Sequence, residues 1–195
     1  LVNSLLNLQE RRILEDDVRG IFLECKNRVE TIALVHEKLY QSKNLANIDF
    51  GDYIRTLTTH LFNSYKTGPL PVRLNINTGN VFLGISKAIP CALILNELVR
   101  NALKYAFPGE RELDREGEIA VQLKSTAKGE ITLIVADNGA GLPTGFDIDK
   151  STTLGMQIIN ALIKQLRGSV HIDRSKGTKF IVEFQIESEG VRNDD

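Results

Sequence analysis

Val18, Phe22, Cys25, Val29, Ile32, His36 and Leu39 recur in alternating steps of four and three. This a/d stripe, sustained over about three heptads, constrains the fold more than any other feature of the chain. A strand would repeat at every second residue, so the run reads as a helix, and its narrow apolar seam needs another helix to cover it. Leu1, Leu5 and Leu8 in LVNSLLNLQERRIL carry the same spacing and predict that partner. Glu15, Asp16 and Asp17 offer a turn and an N-cap between the two, which makes them antiparallel neighbours. One hairpin cannot cover all of this apolar surface. Two hairpins are therefore expected to pair as a four-helix bundle, giving a homodimer. The competing arrangement lays the hairpin on the chain's own second domain.

The 195 residues are enough for one cored domain with a smaller element, or for two small domains. Lys and Arg number 24 against 25 Asp and Glu, so there is no broad basic field and a nucleic-acid partner is disfavoured. No apolar run approaches bilayer-spanning length and no signal peptide is visible. The chain opens on Leu1, so it is read as a piece of something longer, and any membrane tether would belong to the missing parts. Cys25 and Cys91 both sit in apolar helical settings. They are expected to be buried free thiols in a reducing, cytoplasmic setting. Three His and two scattered Cys make no metal-ligand cluster.

Past the heptads the style changes. SKNLANIDFGD reads as a linker, followed by a helix over 52–65 and strands over 72–76 and 81–85. A long helix is predicted over 86–107, with Pro90 in its opening turns, where a missing N–H costs least. Two alternating runs in 117–137 flank Ala127-Lys128-Gly129 as a hairpin. A Gly-rich segment, a helix over 154–166, a last pair of strands and a polar tail complete the chain. The expected fold is α+β: an antiparallel helical hairpin over 1–45, then a domain over 46–187 with one mixed sheet covered by helices on one face, then a flexible tail over 188–195.

Four segments carry chemistry. In NELVRNALKYAF, Leu95, Leu98, Val99, Ala102 and Ala106 form an apolar face, while Glu97, Asn101 and Lys104 form a separate polar file. The carboxylate can orient or deprotonate a nucleophile, the amide oxygen is a hard ligand for Mg²⁺, and the ammonium can neutralise phosphate. Alone, that file reads as a solvated helix face, the usual place for a Glu and a Lys. In VADNGAGLP a β run ends in Asp137, and a buried carboxylate there needs a donor such as an exocyclic amine. Gly139 and Gly141 permit a sharp turn and close approach to a ligand, although Asp-Asn-Gly is also an ordinary turn. In STTLGMQII, Ser151, Thr152 and Thr153 can cap a helix whose first turn, with Gly155, leaves N–H groups for phosphate. In SKGTKF, Gly177 and Thr178 open the last strand.

Taken in this order, the four segments resemble the N, G1, G2 and G3 boxes of the Bergerat ATP-binding fold shared by gyrase, Hsp90, MutL and histidine kinases. SLLNLQ at 4–9 and RVETIALVHEKLYQS at 28–42 resemble the dimerisation hairpin of the second HisKA subfamily of sensor histidine kinases. The resemblance spans nearly the whole chain and implies ATP and Mg²⁺ as cofactors and a response-regulator receiver domain as partner. Glu97 would then be the base or orienter, Asn101 would hold Mg²⁺, Lys104 would contact phosphate and Tyr105 would lie beside the nucleotide. Asp137 would accept from adenine, with Gly139, Gly141 and Thr178 around it. Leu154, Gly155 and Met156 would present backbone to the phosphates, under a short lid over 143–153. The family's phosphorylated His would precede Leu1 by about two helical turns, so the chain is expected to begin after it. His36 matches a family position that is not the acceptor, His60 is expected on a helix surface, and His171 is expected as an alternating strand residue. Two other readings stand beside the kinase: a dimeric nucleotide-binding regulator without autokinase activity, and a gyrase- or MutL-like ATPase.

Overall fold

In the computed structural model, which describes residues 15–41, 48–64, 72–108 and 116–186, the heptad stripe forms one unbroken helix, α1 (Asp16–Gln41). The Arg19 N–H reaches the Glu15 carbonyl at 2.9 Å, closing its first turn. The chain continues through β1 (Ile48–Asp49), α2 (Phe50–Ser64), β2 (Val72–Thr78), β3 (Phe82–Leu83), α3 (Ile85–Tyr105), β4 (Gly117–Ser125), β5 (Glu130–Asp137), α4 (Leu154–Leu166), β6 (Ser169–Asp173) and β7 (Thr178–Gln185). The expected partner helix within 1–14, most of the linker and the tail lie outside the described residues.

Five strands form one mixed sheet in the order β2-β4-β5-β7-β6. β2 and β4 are parallel and the other pairs antiparallel. Register follows from alternation. Val121 faces Val135, and Val135 faces Phe180, so buried side chains line up in one column across three strands. A slip of one residue would turn all of them to the other face. Onto these columns α3 lays Leu95 and Val99, and α4 lays Ile159 and Ile163, all buried in one cluster. Each such side chain stabilises the fold by roughly 1.5–3 kcal/mol. At the end of α4, Arg167 adopts a left-handed conformation (φ 55°), and the Lys87 ammonium donates to the Leu166 carbonyl at 3.1 Å.

Three expectations change here. Ile48–Asp49, read as linker, pairs with Phe82–Leu83 as a separate two-stranded ribbon. The predicted strand over 81–85 is only two residues long, and Ile85 already opens α3. Cys91 is buried, but Cys25 is exposed, because its position on α1 faces away from the core.

α1 also buries a face other than its heptad stripe. Thr31 and Val35 are buried, and Val35 belongs to the same core cluster as the sheet. The Tyr53 hydroxyl of α2 donates to the Thr31 carbonyl at 3.1 Å, and Tyr53 stacks on Phe50 with centroids 5.2 Å apart. α1 thus lies on its own chain through the file Arg28, Thr31 and Val35. That file is displaced by one residue, about 100° of helix, from the heptad stripe. On the stripe, Val18 (46% exposed), Cys25 and His36 remain open to solvent. Docking on the same chain therefore uses a face other than the heptad stripe. No described helix is long and apolar enough to cross a membrane.

Candidate functional site

α3 carries Glu97, Asn101 and Lys104 along one side, one turn apart each time. Glu97 is buried, Asn101 half-buried, and Lys104 and Tyr105 are exposed at the end of the helix. The Lys104 ammonium lies 5.1 Å from the Tyr105 ring centre. Opposite stands Asp137, the last residue of β5, paired in register with Thr178, the first of β7. The first turn of α4 supplies Leu154, Gly155 and Met156. These elements, with the segment 141–153, enclose a cavity of about 770 Å³. Every predicted site residue lines it except Gly139.

The Asp137 carboxylate is half-buried and accepts, at Oδ1, the Gly139 N–H (3.0 Å) and the Thr178 N–H (3.3 Å). Burial pushes its pKa up, and these two bonds with the Thr178 hydroxyl pull against that shift. Gly139 serves packing instead of lining the cavity. A Cβ added there would lie 2.1 Å from the Ala106 carbonyl oxygen, and the adjacent Ala140 N–H donates to that carbonyl at 2.8 Å. The loop after β5 is thereby fastened to the end of α3. Gly177 has φ 103°, and a Cβ there would meet the Asp137 carbonyl at 2.3 Å, so only glycine fits.

Thr153 occupies the N-cap of α4 in extended conformation and makes no side-chain capping bond. Its hydroxyl instead lies 3.2 Å from that of Ser151. The expected Ser/Thr cap is therefore absent, and the first-turn N–H groups have no side-chain capping bond from Thr153. The segment above is tied down from two sides. Asn160 donates to Asp149 at 2.8 Å, and Arg174 donates to the Phe146 carbonyl at 2.5 Å.

At Glu97 the structure adds a partner that the sequence reading missed. Arg28 of α1 forks onto it, Nε to Oε1 at 2.7 Å and Nη2 to Oε2 at 3.2 Å. Arg100 stands 4.0 Å from Oε1, and a Cβ on Gly155 would lie 2.9 Å from Oε2. Nothing in the stripe pointed to Arg28, which sits one residue off it. Arg100, Phe146, Lys150 and Phe180 also line the cavity unforeseen. Arg100 was legible as a cation directly before Asn101. Phe146, Lys150 and Phe180 lie in a loop and on a strand whose folding-over gives no local signal.

The cavity has the size of a small-molecule site, and its lining carries the Asp137 acceptor together with the cations Arg100, Lys104 and Lys150. That set of groups suits a ligand that carries both an amine donor and phosphates. Among the described residues no group of three or more His, Cys, Asp or Glu could hold a metal. Asn101 offers one hard oxygen, which fits Mg²⁺ completed by phosphate oxygens.

Residues 86–188, over half the chain, match the profile of the histidine kinase-, DNA gyrase B- and HSP90-like ATPases. The chain belongs to that family. Residues 1–65 match a histidine kinase profile of the second HisKA type, and the two matches in this order make a histidine kinase core. The sensor histidine kinase PdtaS of Mycolicibacterium smegmatis is 31% identical over 189 residues, covering 95% of this chain and 36% of the relative. Blue-light-activated histidine kinase 2 of Erythrobacter litoralis is 26% identical, covering 95% and 52%. The chain thus spans from about a third to half of the length of these curated relatives. The histidine kinase domain of the E. litoralis EL346 blue-light activated kinase superposes with a TM-score of 0.74 at 18% identity, over 94% of this chain and 91% of that one. Histidine kinase AdeS of Acinetobacter baumannii gives 0.57 at 18%, over 95% of both. These likenesses establish the α+β fold, and membership of the ATPase family establishes a nucleotide site.

Proposed function

We propose that the chain is the catalytic core of a sensor histidine kinase, binding Mg-ATP and passing the γ-phosphoryl to a His of a helical hairpin and then to an Asp of a response-regulator receiver domain. One observation carries this reading: a single cavity joins Asp137 to the file Glu97, Asn101 and Lys104. Asp137, its Oδ1 held by two backbone donors, accepts from the adenine amine. Met156 and Phe180 provide apolar walls. Lys104 and the first turn of α4 meet the phosphates, and Glu97 orients or deprotonates the acceptor imidazole. Magnesium, held by Asn101, would neutralise charge on the transferred group; the protein's own share is positioning and charge complementarity.

The hairpin (1–45) supplies the dimer interface through the stripe from Val18 to Leu39, the ATP-binding unit covers 46–187, and 188–195 is a tail. The working location is the cytoplasm. Support for dimerisation lies in the exposure of Val18, Cys25 and His36, stripe positions that the docked face of α1 leaves open. Phe22→Asp in both subunits is expected to split the dimer in light scattering while ATP binding survives.

The kinase reading is tested in two steps. Calorimetry should detect ADP and ATP binding to this chain; affinity too weak to detect removes the reading. In the parent kinase, Asn101→Ala should stop formation of acid-labile phosphate, and Glu97→Gln should slow transfer more than it weakens binding. The label should persist in His36→Ala, since His36 lies exposed on α1.

A further inference from the structure

The group read as the catalytic carboxylate is already engaged. Both Glu97 oxygens accept from Arg28, in the forked geometry that guanidinium and carboxylate share. The pair is nearly closed to water, with side-chain exposures of 12% and 4%. A base or orienter must bring an oxygen within about 2.6–3.2 Å of the proton it handles. In this arrangement Arg28 occupies both oxygens.

The pair also bridges parts of the chain 69 residues apart. Arg28 rides on α1, whose heptad stripe lies on the adjacent face. Anything that grips the stripe and turns or slides α1 therefore carries Arg28 with it. Glu97 would not then be stranded as a lone buried charge. Arg100 stays 4.0 Å away on the same helix, and the first turn of α4 abuts Oε2 at Gly155. Release is thus feasible, while the fork keeps the docked state well defined.

We propose that Arg28 is a latch: it docks α1 on the ATP-binding unit and occupies Glu97 until α1 moves. This rests on the reading of Glu97 as the group that serves phosphoryl transfer. Arg28 is then a regulatory and positioning residue, acting on the reaction only through Glu97.

Cys25 is exposed on α1 and Cys91 is buried, so a spin label placed on Cys25 and a second on Lys124→Cys, at the exposed end of β4, report the distance between α1 and the sheet. The distance distribution is measured in this chain with Arg28, with Arg28→Ala and with Arg28→Lys. In parallel, ATP affinity is measured by calorimetry, and the initial phosphorylation rate of the parent kinase at saturating ATP is followed. Arg28→Ala should broaden the distribution, leave affinity unchanged and raise the rate about fivefold or more, the lower end of typical coupling between sites. Arg28→Lys keeps the charge without the fork and should fall between the two; it carries the test if the alanine variant fails to fold. A broadened distribution with an unchanged or lower rate would make Arg28 a structural strut and overturn the latch. So would an unchanged distribution. A wild-type chain that binds no ATP fails at the calorimetry step and removes the kinase reading instead, whatever the labels report.

Discussion

The two ends of the cavity are held by different physics. At the Asp137 end the geometry is written into the backbone. The carboxylate is fixed by the N–H groups of Gly139 and Thr178, and Thr178 faces it across the β5–β7 ladder. At the Glu97 end the geometry depends on side chains from α1 and α3, beside Gly155 in the first turn of α4, and on a helix that must stay docked. A site built at the end of two paired interior strands is rigid as soon as the sheet forms. A site that borrows a charge from a distant helix is only as fixed as that helix, which makes it the end that can be controlled.

Breaking the rigid end should have the largest effect. Gly139→Ala places a methyl 2.1 Å from the Ala106 oxygen, so loop and helix must part. Loss of about 3 kcal/mol is expected, the upper part of the overpacking range, read from the denaturant midpoint. Next comes Asp137→Ala, which removes the acceptor and leaves donors behind. ATP affinity should fall by about 2 kcal/mol, roughly thirtyfold, in calorimetry. The controllable end is probed by Tyr53→Phe, which deletes the bond from α2 to the Thr31 carbonyl. About 1 kcal/mol should be lost, with faster hydrogen exchange confined to α1 while β5 and β7 keep their protection. The smallest effect sharpens the comparison through pH. Because burial raises the folded Asp137 pKa above its unfolded value, protonation favours the empty fold. That contribution is complete below the ordinary carboxylate value and disappears as pH rises through the raised one. Asp137→Asn lacks it, so the variant's stability relative to wild type should be greatest above this window and should shrink as pH falls through it, even though the variant binds ATP poorly.

Much of the Asp137 end was legible because it is local. The alternating run into Asp137, the Gly-rich turn and the helix over 154–166 each announce themselves within a dozen residues, and β5 and α4 stand where they were expected. The two-residue strands β1 and β3 carry no period to read. Gly139 reaches the site only through its N–H to Asp137, because its close neighbour is Ala106, thirty-odd positions back, and a contact that distant has no local signal. Cys25 lies on the heptad seam, which marks it as interior in the pattern, yet that side of α1 faces away from the core. That helix has a second face, and the file of Arg28, Thr31 and Val35 is too polar to register as a stripe. For the same reason the fork between Arg28 and Glu97 left no trace in the pattern: ion pairs between distant elements have no periodicity.

The parallel pairing of β2 with β4 has a kinetic consequence. α3, the helix that carries Glu97 and Asn101, lies in the connection between these two strands. Neighbouring strands of an antiparallel pair can zip from their turn, but this pair cannot meet until the intervening chain has been drawn in, at the cost of closing a long loop. Packing of α3 against the nascent hairpin of β4 and β5 is the contact that makes that closure worthwhile, so the site-bearing helix belongs in the folding nucleus. Trimming Leu95 or Val99, both fully buried, is expected to slow refolding more than it speeds unfolding in stopped-flow chevrons, whereas trimming Ile172 on the outer strand β6 should do the reverse.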